Sequence, residues 1–496
     1  MTRALRVLAL PLALAAVLVL PGRADAAPSV VDPDLAVRTA ASGLDQPISI
    51  AFIGRNDMLV LEKASGQVKR VVNGTVQSTV LDLAVNSGSE RGLLGIALHP
   101  HFWVNGRVYL FWTETISGLD TTVLSDTPLL GNRVDVFYWN GSTLTFERNI
   151  IRLRALQQDA GQPERGNHDG GVLRFGPDKK LYIIMGDTGR RGQLQNLVDG
   201  PFGPGIPDDQ FGGPEPDDAH LTGHILRLND DGTAPPSNPF FRAGASMGGQ
   251  VGANVQKLFA YGLRNSFGMA FDPVSGDLWE QENGDDSFTE LNRAEPGFNS
   301  GWVQIMGPPE RIQQFKAIET TVTPNPPDPF APTYFGLQQI RWLPTNIADT
   351  PEEALSRLFR LPGSFYSAPE FSWKFEVAPA GIGFLESKAL GGKYRNDLFV
   401  GAARVFLEGG ALFRFELKGN RRSFKLRDSR LADGVADNRH KWEITESETL
   451  LFGRNFGIGT DVQTGPNGNL FVVSLTDGAI YEVFRPSKRH DDEDDD

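Results

Sequence analysis

The feature that most constrains this chain is a recurring unit of turn, short apolar strand and turn, with Gly and Pro confined to the turns. Gly176-Pro177-Asp178-Lys179-Lys180 runs into Leu181-Tyr182-Ile183-Ile184-Met185 and then Gly186-Asp187. Gly465-Pro466-Asn467-Gly468-Asn469 runs into Leu470-Phe471-Val472-Val473 and, a few residues later, Asp477-Gly478. Asp272-Pro273-Val274-Ser275-Gly276 precedes Asp277-Leu278-Trp279-Glu280, and Met58 to Glu62 with Gly66 forms an early copy. Pro cannot donate to a sheet ladder and Gly weakens a strand interior, so this punctuation marks strand ends. The 55 Gly and 33 Pro residues of the 496-residue chain fit many short strands. Helical periodicity is scarce. Repetition of this kind predicts a single all-β domain built as a propeller, with a large sandwich or barrel as the alternative.

Charge and cysteine content narrow the function classes. The formal net charge is -13, and six of those charges lie in the terminal run Asp491 to Asp496. An acidic surface disfavours nucleic acid and anionic membranes. There is no Cys, which excludes thiolate metal sites and Cys nucleophiles, and imidazole chemistry is left to seven His residues. Arg3 and Arg6, the apolar run from Leu8 to Leu20 and Ala24-Asp25-Ala26 form a signal-peptide pattern covering residues 1–26. An exported protein, periplasmic or secreted, is expected, with no stable membrane span. Residues 27–488 form the domain, and residues 489–496 an acidic, solvated tail.

Two stretches break the repeat and are read as insertions on one face, at about residues 190–221 and 307–391. The second contains Thr323-Pro324-Asn325-Pro326-Pro327-Asp328-Pro329, then Thr350 as the cap and Pro351 in the first turn of a short helix to about Arg360. Long loops in a compact domain are commonly functional.

Four polar, Gly-rich segments carry the chemistry. They are Glu90-Arg91-Gly92-Leu93-Leu94-Gly95; Gly166-Asn167-His168-Asp169-Gly170-Gly171 with Met185-Gly186-Asp187-Thr188-Gly189; Tyr261-Gly262-Leu263-Arg264-Asn265-Ser266-Phe267-Gly268; and Glu282-Asn283-Gly284-Asp285 with Glu290-Leu291-Asn292 and Asn299-Ser300-Gly301-Trp302. In this order, from about Gly43 to Phe484, they resemble the soluble pyrroloquinoline-quinone (PQQ) sugar dehydrogenases, the glucose/sorbosone and aldose sugar dehydrogenases. The resemblance implies a six-bladed β-propeller, PQQ and calcium as cofactors, a sugar or alcohol substrate and an electron acceptor such as a cytochrome or a quinone.

Residue roles follow. His168 is the candidate base, since imidazole titrates near neutrality and can take a hydroxyl proton while hydride leaves the carbon. Taken alone, a His in such a turn is more often one bonded to backbone groups. Asp187 is placed to orient it. The resemblance assigns Arg264, Asn265 and Gln193 to the cofactor, gives calcium the backbone carbonyls of Gly284 and Asp285, and puts Glu290 at a nearby structural calcium. Arg404 stands where the family usually has Lys. Trp373 either stacks on the quinone or packs in the core. The segment Phe456-Gly457-Ile458-Gly459-Thr460-Asp461 lacks the arginines the family tends to use to clamp the PQQ carboxylates. Two other functions stay open: a non-catalytic ligand- or carbohydrate-binding propeller, and a calcium-dependent lactonase-like hydrolase.

Overall fold

The computed structural model describes residues 26–156, 164–189, 221–320, 344–403 and 409–487. These form six sheets of four or five strands, arranged as a six-bladed β-propeller. The first strand of each blade lies innermost: Pro47–Gly54, Leu93–Leu98, Leu173–Phe175, Gly268–Phe271, Pro379–Phe384 and Gly459–Thr464. Each of these touches the first strand of the blades on either side, so six strands ring a central channel. The ring is closed by the N-terminal strand Ala36–Ser42, which pairs antiparallel with Ala479–Phe484 at the edge of blade six.

Local sequence explains the ring. The turn at Gly176 is held by Gly176 N donating to Lys180 O at 2.9 Å, and the following strand Leu181–Met185 is buried throughout. Inner strands must approach closely, and glycine permits it. A Cβ on Gly95 would lie 2.0 Å from Gly171 O, and one on Gly383 would lie 1.8 Å from Val462 O.

The second insertion lies between the third and fourth strands of blade four. Its helices Ile312–Thr320 and Pro351–Arg357 share an apolar core with Phe288 and Trp302. Thr350 caps the second helix, its Oγ1 accepting from Glu353 N at 3.2 Å. The insertion is shorter than the expected 307–391. Phe371–Phe375 pairs with Ser287–Ala294 in blade four, and Pro379–Phe384 opens blade five. Both strands are short and flanked by Pro and Gly, which hides their alternation. The first insertion falls almost wholly outside the described residues, as do the signal-peptide pattern up to residue 25 and the acidic tail. Among the described residues no helix is long and apolar enough to cross a membrane.

Two polar ties join separate blades. Arg174 in blade three reaches across the channel to Asp461 in blade six, Nη2 to Oδ1 at 2.9 Å. The other Asp461 oxygen accepts from Ser49 Oγ at 2.7 Å, Ile50 N at 3.1 Å and Gln463 Nε2 at 2.7 Å, which brings in blade one. Asn132 in blade two donates to Asp169 Oδ1 at 2.9 Å at the entry to blade three. Burial lifts the Asp169 carboxyl to about 6.

Arg174→Met is therefore expected to cost about 2 kcal/mol, a charge-assisted hydrogen bond at a buried carboxylate, measured as a lower denaturation midpoint. Asp169→Asn keeps the acceptor for Asn132 and removes a buried charge. Because the folded carboxyl titrates above its ordinary 3.8, the parent loses stability as pH rises from about 4 through about 6. The variant is expected to gain thermal stability over the parent at pH 8 but not at pH 4. An equal difference at both values would refute the assignment.

Candidate active site

In an antiparallel blade the residues before the first strand and those after the second meet at one edge. That geometry gathers the four Gly-rich segments on one face of the ring. Glu90 precedes Leu93–Leu98, and His168 precedes Leu173–Phe175. Arg264 and Asn265 precede Gly268–Phe271. Asp187 follows Leu181–Met185, and Asn283 to Asp286 follow Leu278–Glu282.

His168 and Asp187 come together as expected. His168 Nδ1 lies 2.6 Å from Asp187 Oδ1, and both residues are buried. A carboxylate only accepts, so Nδ1 carries the proton and Nε2 is the nitrogen left for chemistry. Asp187 is itself fixed: Oδ1 accepts from Gly189 N at 2.9 Å, Oδ2 accepts from Trp302 Nε1 at 2.9 Å, and its own N–H donates to Arg264 O at 2.8 Å. His168 has φ +60, a left-handed conformation uncommon for a side chain of this size. Its backbone N–H donates to the Glu90 carboxylate, which holds that conformation.

Arg264 is fully enclosed. Its guanidinium pairs with the Asp285 carboxylate, donates through Nη1 to Asn283 O at 2.9 Å and lies 5.4 Å over the Trp302 ring. Burial alone would lower its pKa, but the carboxylates of Asp285, Asp187 and Glu376 together raise it, so it stays charged. Asn265 Nδ2 faces both Glu90 oxygens at 3.4 Å, and its buried Oδ1 has no partner among the described residues. An unsatisfied buried acceptor calls for a donor beyond the described residues.

The expected metal positions divide. The Asp285 carboxylate is taken by Arg264, and its carbonyl faces Lys441 Nζ at 3.4 Å; that ammonium pairs with Asp286 Oδ1 at 2.8 Å. Gly284 adjoins this cluster. Glu290 pairs across the ladder with Glu282, and burial lifts both carboxyls to about 8. All four oxygens of the pair accept from protein donors, Arg264 N, Ser300 Oγ, Asn292 Nδ2 and Gly307 N, so the pair is already satisfied without a cation. No group of three acidic or imidazole side chains converges among the described residues.

The mouth of the channel holds a cavity of about 250 Å³, partly open to solvent, at the small end of the range for ligand sites. Lys63, Glu90, Arg174 and Asp461 line it, together with Ile458 and Thr460 from the segment without arginines. Lys63 Nζ is spent on Ser87 O at 3.1 Å and Ser89 O at 3.0 Å, and Arg174 on Asp461. The described residues therefore do not supply the free cations that a tricarboxylate such as PQQ requires.

Gln193 and Arg404 lie outside the described residues. Trp373 does not reach the site. It is buried in blade four, with ring centroids 4.8 Å from Phe371 and 5.4 Å from Phe413, so it is core. Alternation along a strand gives a side chain's face but not what covers that face. The reading from sequence gave no role to Glu90 or Trp302. Glu90 stands just before an inner strand, as His168 and Arg264 do, and that position was the available signal.

A family model described as glucose/sorbosone dehydrogenase matches residues 44–324. Quinoprotein glucose dehydrogenase B of Acinetobacter calcoaceticus is 31% identical over 278 residues, 54% of this chain and 52% of that protein. The chain thus spans about half the length of that relative. Aldose sugar dehydrogenase YliI of Escherichia coli is 24% identical over 467 residues, 94% of this chain and 95% of that protein. Hedgehog-interacting protein of Mus musculus is 28% identical over 273 residues, 49% of this chain and 33% of that protein. The propeller also matches the apo aldose sugar dehydrogenase of Escherichia coli, with TM-score 0.59, 21% identity and coverage of 91% of this chain and 100% of that one. The PQQ-bound aldose sugar dehydrogenase of Streptomyces coelicolor matches with TM-score 0.54, 23% identity and coverage of 92% and 99%. These two likenesses speak for the fold alone. Site order, fold and family match agree, and the chain belongs to the glucose/sorbosone dehydrogenase family.

Proposed function

We propose that this chain is an exported dehydrogenase that oxidises a hydroxyl of a sugar or alcohol, with His168 as the base. The observation that carries the reading is the buried hydrogen-bonded series His168, Asp187, Trp302 on the face of the ring that carries the Gly-rich segments. His168 Nε2 takes the hydroxyl proton, and the carbon loses hydride to an electron acceptor. Asp187 keeps the imidazole in the tautomer with Nε2 free and stabilises the imidazolium that forms. Trp302 and Gly189 keep Asp187 in place, and Glu90 fixes the backbone from which the imidazole projects. Export is supported by the pattern in residues 1–26.

A quinone acceptor is supported by the name of the quinoprotein relative. Calcium is supported by the resemblance alone, since the Glu282 and Glu290 carboxyls, lifted by burial to about 8, are largely protonated at neutral pH. A second reading, a propeller that binds a ligand without turning it over, is favoured by the committed cations of the channel mouth and by the Hedgehog-interacting relative.

Dye-coupled oxidation of a panel of aldoses and alcohols by the purified protein separates the two readings. Turnover of at least one sugar is expected. His168→Ala is expected to lower kcat by about 10²-fold or more with unchanged circular dichroism; full activity in this variant would place the base elsewhere. Asp187→Asn should lower kcat comparably with little change in KM, because the amide can turn its N–H toward the ring. Trp302→Phe removes one hydrogen bond to Asp187 and is expected to cost about tenfold in kcat. An unaltered rate there would show that Asp187 needs no third partner.

A further inference from the structure

The cavity at the channel mouth carries a composition that the catalytic reading does not use. Its walls are largely hydrocarbon, formed by Ile48, Leu94, Phe267, Ile382, Ile458 and Leu475, which come from five of the six blades. Its charged groups are internally satisfied. Arg174 is bound to Asp461, and Lys63 is held by two backbone carbonyls with Glu90 and Asp169 nearby. Arg264 and Lys441, farther along the same face, are paired with Asp285 and Asp286. A ligand bearing several carboxylates would lose its hydration against aliphatic walls and meet the Glu90 carboxylate, with no cation released among the described residues to receive it.

We propose that this cavity takes an uncharged quinone, of the benzoquinone or naphthoquinone class, as the two-electron acceptor of the reaction. The proposal rests on His168 as base and names the acceptor. A flat, uncharged ring buries its faces against Ile458, Leu475 and Phe267 at no electrostatic cost. The chemistry balances. The substrate carbon gives hydride to the quinone, its hydroxyl proton passes to His168 Nε2, and the C–O bond becomes C=O. A further proton transfer from the imidazolium completes the hydroquinone. The Arg174 and Asp461 pair spans the channel beneath, since Arg174 lines this cavity and also the one below it. The ligand therefore enters from the face that carries His168.

Isothermal titration of the intact mature chain with menadione, and with PQQ in the presence of 1 mM calcium, tests this directly. Menadione is expected to bind at least tenfold more tightly than PQQ. Ile458→Arg is expected to reverse the order, strengthening PQQ at least tenfold and weakening menadione; Thr460→Lys serves if the first variant fails to fold by circular dichroism. PQQ binding as tightly as menadione to the parent chain overturns the proposal. So does an absence of menadione binding, or a PQQ affinity unmoved in a folded variant. Binding and turnover report separately. If dye-coupled oxidation still depends on His168 while menadione does not bind, the acceptor assignment falls and the catalytic reading stands. If no sugar is oxidised but menadione binds in the expected order, the catalytic reading falls and the ligand class of the cavity survives.

Discussion

Everything in this protein depends on closure of the ring. An open row of six sheets would leave the packing face of the first and the last sheet bare to water. The N-terminal strand Ala36–Ser42 ties the two ends of the row together by completing the blade that ends with Ala479–Phe484. Once the ring is closed, the inner strands are pressed together, and residues without side chains become necessary where backbones meet, as at Gly95 against Gly171 and Gly383 against Val462. The face of the ring is then a rigid platform, and the loops on it inherit that rigidity.

The same closure explains what was legible in the sequence. The strand and turn punctuation needed only local rules, and those rules carry directly into blades. His168, Asp187, Arg264 and Asn265 were found because Gly-rich polar segments before an inner strand or after a second strand must reach one face. Their mutual contacts were not legible. Glu90 and His168 are 78 residues apart, and nothing local signals that one holds the other's N–H. Trp302 bonds to Asp187 from the insertion side, 115 residues away. Trp373 misled for the opposite reason: an aromatic in a strand looks the same from sequence whether the neighbouring blade or a ligand covers it. The strands at Phe371 and Pro379 were hidden by shortness and by their Pro and Gly neighbours.

Charge at the site follows a single economy of position. The buried cations Arg264 and Lys441 are matched by Asp285 and Asp286, and Asp461 collects Arg174 with donors from two blades. Such pairing makes the face stable without metal-like surplus charge, because breaking one partner from a buried pair costs far more than the pair contributes. It also limits what the face can recruit. A polyanion has to bring its own counterions or displace a protein carboxylate, whereas a neutral polyol or ring asks for neither.

The ion pair across the channel has a kinetic consequence. A tunnel open at both ends lets two reactants approach from opposite sides and reside together. Here the bore is crossed at mid-height, so whatever reaches His168 must leave by the way it came. Two reactants that meet there share one doorway, and hydride can pass between them only while both are seated. A protein of this shape is suited to an ordered cycle, in which the reactant that sits deeper enters first and its product leaves last.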